Sequence, residues 1–286
     1  VTRILDSLGE VADAYRGLLC DVWGVYHDGT RVFPAASRAL RAFRKSGGRV
    51  VLLTNAPRPA EAVADAVAAL GGAEADRDAI VTSGDAARGF LAAGRWGRRA
   101  CHVGPARDLP LVRDLDLALV SLDEADFILC TGLDDDRSET AEEYAGMFSA
   151  ARTRGLPMLC SNPDRNVDIG GLRVPCAGAL AEAYEAMGGH VKWFGKPYRP
   201  VYEAALQVLD DAAGVKIPRS QVLAIGDGIL TDVAGAAAMD IDCLFVSGGL
   251  AAGEIRHECR RPRADDLTRF LERHGQAPKA AMGWLA

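Results

Sequence analysis

Short apolar runs alternate with longer stretches of helical periodicity along most of this chain. Leu18 to Asp21, Arg49-Val50-Val51-Leu52-Leu53, Val191 to Gly195, Gln221 to Ile225 and Cys243-Leu244-Phe245-Val246 have strand length and almost no polar face. That is the form of strands covered on both sides, as in parallel sheets. Helices are predicted from Pro34 to about Lys45, Pro59 to Leu70, Ala177 to Met187, Pro200 to Ala213, and onward from Thr231. Gly47-Gly48 and Gly71-Gly72 follow the first two, so proline opens and glycine closes them. The alternation predicts an α/β fold with a mainly parallel sheet.

A second block interrupts this series near Thr82-Ser83-Gly84. It contains strand-like Ala100-Cys101-His102-Val103, Leu117-Ala118-Leu119-Val120 and Phe127-Ile128-Leu129-Cys130. A long helix from about Glu139 to Arg154 and strand-like Met158-Leu159-Cys160 follow. The block has an alternation of its own, which predicts an inserted domain over residues 83–177 within a core built from residues 1–82 and 178–286. The tail from Arg260 is rich in Arg and Pro and then predicts a short helix from about Asp265 to His274.

Bulk properties narrow the classes. The 286 residues suffice for one large domain or two ordinary ones. Hydrophobic residues at 49% and charged residues at 25% are the balance of a globular protein. The net charge is −6 and the basic residues are scattered, which argues against a nucleic-acid partner. No apolar run approaches the ~20 residues of a membrane span, and the first residues lack a secretory pattern. The seven cysteines are spread without a Cys-x-x-Cys pair. Reduced thiols and a cytoplasmic protein are therefore expected.

The chemistry gathers at strand ends. Asp21 opens the turn Asp21-Val22-Trp23-Gly24-Val25 after Leu18-Leu19-Cys20, Thr54-Asn55 ends the second strand, and Lys196 follows Phe194-Gly195. Asp227 and Asp232 flank the loop after Gln221 to Ile225. Open α/β sheets put their ligands at the carboxyl ends of strands. A carboxylate can attack a phosphate, a hydroxyl and backbone N–H groups can cradle it, and an ammonium can neutralise it. Two further carboxylates suit a hard cation such as Mg²⁺. Taken singly, each residue has an ordinary alternative: Asp21 and Asp232 as turn or helix caps, Thr54 as a strand-end turn, Lys196 as a solvated side chain. The five histidines show no metal-binding spacing, and no serine sits in a Gly-x-Ser-x-Gly turn. Asp134-Asp135-Asp136 reads as a solvated loop.

In this order and spacing the motifs resemble the haloacid dehalogenase superfamily, specifically its class IIA sugar-phosphatase-like branch. That branch carries a C2-type α/β cap between the second and third motifs. The Asn162-Pro163-Asp164 loop also looks like that branch. The resemblance implies a Rossmann-like, doubly wound parallel core with an inserted α/β cap. It implies Asp21 as nucleophile, with Thr54 and Lys196 holding phosphate and Asn55 and Asp164 at the substrate. It further implies Mg²⁺ bound by Asp21, the Trp23 carbonyl and Asp227, with Asp232 in support.

One position departs. Ester-hydrolysing members have an aspartate two residues after the nucleophile, and here Trp23 stands there. General acid–base help is worth about 10²–10⁴-fold, and an indole does not supply it. Either another group replaces it (His27, Asp28 or a cap residue such as Asp164), or the leaving group needs no acid, or the protein binds a phosphorylated ligand without efficient turnover. A phosphonate-cleaving enzyme would need a cap lysine, and residues 82–175 contain none. The expectation is a Mg²⁺-dependent phosphatase of a small sugar or nucleotide phosphate, with no nucleic-acid or membrane partner. A phospholigand-binding regulatory module is the alternative, and exposed cap surfaces are compatible with a homodimer.

Overall fold

A computed structural model describes residues 2–169 and 172–286. Its larger sheet has seven strands in the order Arg3–Ile4, Ala280–Met282, Asp242–Val246, Val222–Gly226, Gly17–Cys20, Arg49–Thr54, Ala79–Thr82. Every neighbouring pair is parallel. The apolar runs build this sheet because each residue is covered whichever face it points to. Leu18, Cys20, Leu52 and Ile225 pack with Leu40, Phe43 and Val67 on one side. Leu19, Leu53, Ala224 and Phe245 pack with Tyr202, Leu209 and Phe270 on the other. Successive strand residues thus feed two separate cores, as their period of two requires.

The helix Pro34–Lys45 illustrates the local logic. Pro34 occupies the first turn, where its missing N–H costs nothing. Ala36, Leu40 and Phe43 form its buried face, and Arg44 and Lys45 sit at the negative end of the dipole. Truncating a fully buried leucine such as Leu40 to alanine typically costs about 2–5 kcal/mol.

The second sheet has five strands in the order Val191–Trp193, Met158–Cys160, Phe127–Cys130, Arg99–Val103, Ala118–Leu119, again all parallel. Here the boundary expected at residue 177 is corrected. Helix Ala177–Ala186 buries Leu180, Ala181 and Tyr184 against this second sheet. Strand Val191–Trp193 pairs with Met158–Cys160 and not with the larger sheet. Trp193 Nε1 donates to Glu185 Oε1 at 3.0 Å, tying the strand to that helix. A short apolar run carries no label for the sheet it joins, so periodicity alone assigned it to the wrong one.

Smaller differences have local causes. The long helix expected from Glu139 begins as a 3₁₀ turn, Ala141–Tyr144, with a Thr140/Glu143 capping box, and is α-helical over Ala145–Thr153. The strands Arg3–Ile4, Ala79–Thr82 and Ala280–Met282 were not foreseen. Nor was the antiparallel pair Asn166–Ile169 with Leu172–Pro175. All seven cysteines are free thiols, and only Cys259 is exposed. Among the described residues no helix is long and apolar enough to cross a membrane.

Candidate active site

The site lies where the larger sheet reverses its winding. From Gly17–Cys20 the chain proceeds outward to Arg49–Thr54 and Ala79–Thr82. From Val222–Gly226 it proceeds the opposite way to Asp242–Val246 and Ala280–Met282. The crevice beyond the carboxyl ends of the two central strands is the switch point, where such sheets bind ligands. Asp21 N donates to Ile225 O at 2.8 Å, so pairing continues to the last strand residue before the turn. Asp21, Thr54 and Asp227 therefore emerge from three adjacent strands at one edge, and all three are buried.

Lys196 arrives from the second sheet, three residues beyond Val191–Trp193, and places its ammonium between two acids. Nζ lies 2.6 Å from Asp21 Oδ1 and 2.6 Å from Asp232 Oδ1, with the lysine side chain only 3% exposed. Asp21, Asp227 and Asp232 each present an oxygen within 4.8 Å of the others. Asp232 Oδ2 also accepts from Gly228 N at 3.0 Å, which folds the loop back on itself. Asp227 Oδ2 accepts from Leu250 N at 2.9 Å, and among the described residues it has no cationic partner of its own.

Charge balance shows what this cluster fits. Two like charges at such separations repel by about 3–4 kcal/mol at an effective dielectric of ~20. One ammonium does not compensate three carboxylates. Burial, then Asp232, pushes the Asp21 carboxyl up to about 7. Burial, then Asp21 and Asp232, pushes Asp227 well above the carboxylate range. Burial works against the charge on Lys196, but Asp21 and Asp232 outweigh it and hold the ammonium well above its ordinary value. An uncompensated set of buried carboxylate oxygens at one point is the donor chemistry of a hard divalent cation, so the residues fit Mg²⁺.

Glycines admit this crowding. A Cβ on Gly24 or Gly249 would collide with Asp227 Oδ2, and one on Gly226 with the Asp232 carboxyl. Gly24 also has φ +74. The main chain from Trp23 to Gly24 thus lies directly against the carboxylates, where the Trp23 carbonyl was expected to serve.

The side chain of Asn55 is committed to protein: Oδ1 accepts from Lys196 N at 2.7 Å, while Nδ2 donates to Asp164 Oδ1 at 2.8 Å and Lys196 O at 3.2 Å. It is a brace on Lys196 and Asp164. The helix after it, Ala60–Ala69, spends its first N–H on Asp85, with Ala60 N donating to Oδ2 at 3.0 Å. Thr54 Oγ1 accepts from Ala56 N at 3.2 Å, which leaves its own proton free to donate.

The three candidates for the proton shuttle separate cleanly. Asp28 Oδ1 accepts from Thr30 N, Thr30 Oγ1 and Arg31 N, so it is spent on its own turn. His27 is buried and its Nδ1 accepts from Gly29 N at 3.0 Å. Burial lowers its pKa to about 4, leaving a neutral ring. Asp164 lines the narrow cleft that holds Asp21, Asp227 and Asp232, and also the larger cavity beside it. Burial raises its carboxyl against the opposing effects of Lys196 and Asn55. Trp23 lines the same two spaces.

Signals missed in the sequence are the glycines at 24 and 249, the N–H of Leu250, and Ser83. The Ser83 hydroxyl lies 2.6 Å from Ser161 O and 2.5 Å from Phe194 O, where the chain passes between the two sheets. Only the glycines had a sequence cue, their place beside a motif.

Comparison with known proteins finds relatives that span nearly the whole chain. Residues 18–118 match a family model described as haloacid dehalogenase-like hydrolase, and residues 193–269 match a second, HAD-hydrolase-like model. A crystal structure of a haloacid dehalogenase-like family hydrolase from Brucella suis is 38% identical. It covers 99% of this chain and 100% of its own, with a TM-score of 0.88. A 5'-nucleotidase of Bacillus subtilis is 25% identical over 262 residues, 90% of this chain and 98% of its own. A p-nitrophenyl phosphatase from Archaeoglobus fulgidus shares the fold at 22% identity and TM-score 0.71, covering 94% of this chain and 96% of its own.

Proposed function

The chain belongs to the haloacid dehalogenase-like hydrolases, and from that premise we propose that it is a Mg²⁺-dependent phosphatase of a small phosphate monoester, of the sugar or nucleotide phosphate class, acting through an aspartyl phosphate on Asp21. The observation that carries this reading is the buried trio Asp21, Asp227 and Asp232 around the single ammonium of Lys196. Relatives that are a nucleotidase and a nitrophenyl phosphatase support it.

Asp21, Asp227 and the Trp23 carbonyl would hold the cation, with Asp232 behind them. Bound there, the cation supplies Lewis-acid neutralisation of the phosphate so that a carboxylate can approach it. Asp21 Oδ1 is fixed by Lys196, which orients the carboxylate. An Asp21 oxygen forms the new O–P bond while the ester P–O bond breaks, with Lys196 and the Thr54 hydroxyl stabilising the equatorial oxygens. The leaving oxygen takes a proton from Asp164, the only one of the three shuttle candidates that faces both spaces. Asp164 then removes a proton from the water that splits the acyl phosphate, releasing inorganic phosphate and restoring Asp21.

The test is phosphate release from a panel of sugar, nucleotide and aryl phosphates, with Mg²⁺ and with EDTA, for wild type and Asp21→Asn. Release that needs Mg²⁺ and vanishes in Asp21→Asn is expected. Phosphate esters that bind without any release, aryl phosphates included, would favour the regulatory-module reading.

A further inference from the structure

The three clustered acids are not equally supported. Asp21 and Asp232 share the Lys196 ammonium, and Asp232 also accepts from Gly228 N. Asp227 depends, among the described residues, on one neutral donor, the Leu250 N–H that meets its Oδ2 at 2.9 Å. How firmly Leu250 is held decides how firmly this carboxylate is aimed.

Leu250 lies four residues beyond strand Asp242–Val246. The start of this loop is tied down, with Ser247 N donating to Met282 O at 2.8 Å and Gly248 N to Gly283 O at 2.6 Å. Gly249 then passes so close to Asp227 that a Cβ on it would collide with Oδ2. No side chain cushions the contact, so a shift of the loop reaches the acid directly.

The carbonyl of Leu250 is held from the other layer. It accepts from Arg173 Nη2 at 3.0 Å. Arg173 belongs to the two-stranded ribbon of Asn166–Ile169 and Leu172–Pro175, where it stands opposite Asp168. Its Nε donates to Asp168 Oδ1 at 2.9 Å and its Nη2 to Oδ2 at 3.0 Å. Such a fork fixes the plane of the guanidinium, and the second proton of Nη2 is left for Leu250 O. Asn166, Val167 and Asp168 line the cleft that holds Asp21, Asp227 and Asp232. The ribbon is thus one wall of the cleft and, through Arg173, a clamp on the residue that aims Asp227.

Charge alone would make this a poor place for an arginine. A guanidinium near a cation site repels the cation and weakens binding. An arginine that acts through its donors strengthens the site instead, by keeping a ligand in position.

Resting on the Mg²⁺ reading of the trio, we propose that Arg173 is a positioning residue for the cation site, fixing Leu250 so that Leu250 fixes Asp227. The coupling is reciprocal. A cation on Asp227 tightens the hold of the ribbon on the seven-stranded layer, and a docked ribbon tightens the hold on the cation. The wall of the cleft and the cation are set in place together.

The experiment measures Mg²⁺ binding by calorimetry, without substrate, in wild type, Arg173→Met and Arg173→Lys. The Arg173 side chain is 55% exposed, so both variants should melt near the wild-type temperature in EDTA. Methionine removes charge and donors together. Lysine keeps the charge but loses the planar fork that holds Asp168 and Leu250 O at once. Both should bind Mg²⁺ more weakly, by at least about fivefold, the lower end of ordinary coupling between sites. In hydrogen exchange, Mg²⁺ should slow the ribbon amides of wild type and leave those of Arg173→Met unchanged. Tighter Mg²⁺ binding in Arg173→Met, with Arg173→Lys like wild type, is the mark of charge alone and overturns the proposal. So does ribbon exchange in wild type that ignores Mg²⁺. Failure of the phosphatase reading shows separately. A wild type that binds no Mg²⁺ overturns both, whereas a wild type and variants that bind it equally well overturn this inference alone.

Discussion

Two buried acidic sites in this protein are opposites. Asp76 is fully buried and accepts from Tyr26 Oη at 2.7 Å, Ser37 Oγ at 2.7 Å and Arg41 Nε at 2.9 Å. Burial pushes its carboxyl up, but the bonds from Ser37, Tyr26 and Arg41 outweigh it and hold the pKa below 3.8. At the switch point, three carboxylates share one lysine, and the carboxyls of Asp21 and Asp227 are raised. The first site is finished by the protein and fastens helix Pro34–Lys45 to the segment Glu74–Asp76. The second holds three carboxylates against one ammonium. Burial is common to both, so the surplus of charge over donors is what separates a structural acid from a working one.

The largest expected effect that sharpens this contrast is at Asp21. Asp21→Asn should lower phosphate release by at least about 10³-fold, since the nucleophile is gone. It should also raise the melting temperature of the metal-free protein, because a repelling charge is removed. A variant melting below wild type would break the contrast. Lys196→Met goes the other way, leaving three acids without their ammonium. Losing one partner of a buried pair costs about 3–5 kcal/mol, to be read from denaturant midpoints, and turnover should vanish with it.

Asp164→Asn comes next. If Asp164 does the work that Trp23 cannot, alkyl phosphate turnover should fall by about 10²-fold. p-Nitrophenyl phosphate, whose leaving group needs no proton, should be spared by comparison. Equal losses on both would assign Asp164 to positioning alone.

Asp76→Asn has the smallest expected effect, about 1–3 kcal/mol of stability, with kcat per folded molecule unchanged. Its pH dependence has a defined sign. The folded pKa lies below the unfolded value of 3.8, so the unfolded chain binds more protons in that window. The contribution of Asp76 is then fully present above the unfolded value and is lost as pH falls through the folded one. The stability gap between wild type and variant should be constant near neutrality and close in acid.

Much of this was legible in the sequence, for a physical reason. Strands covered on both faces must be apolar throughout, so the runs ending at Asp21, Thr54 and Asp227 announce both the strand and the edge where these residues gather. Lys196 stood out because the chain has only five lysines. What stayed hidden depends on three-dimensional partners. The amide of Asn55 turned out to be spent on Lys196 and Asp164, which lie far along the chain. Strand Val191–Trp193 reads alike whichever sheet it joins.

The single hydroxyl of Ser83, set between Ser161 O and Phe194 O, has a consequence for how such a protein is assembled from parts. The points where the chain leaves the larger sheet and where it returns are in contact. The closure entropy of a connection depends on the distance its ends must be brought together and only slowly on length. A folded insert that already holds its ends side by side therefore asks almost nothing of its host. The seven-stranded layer is in this sense a socket, and the five-stranded layer a module exchangeable for another of any size, provided that its last residues still hand back a lysine.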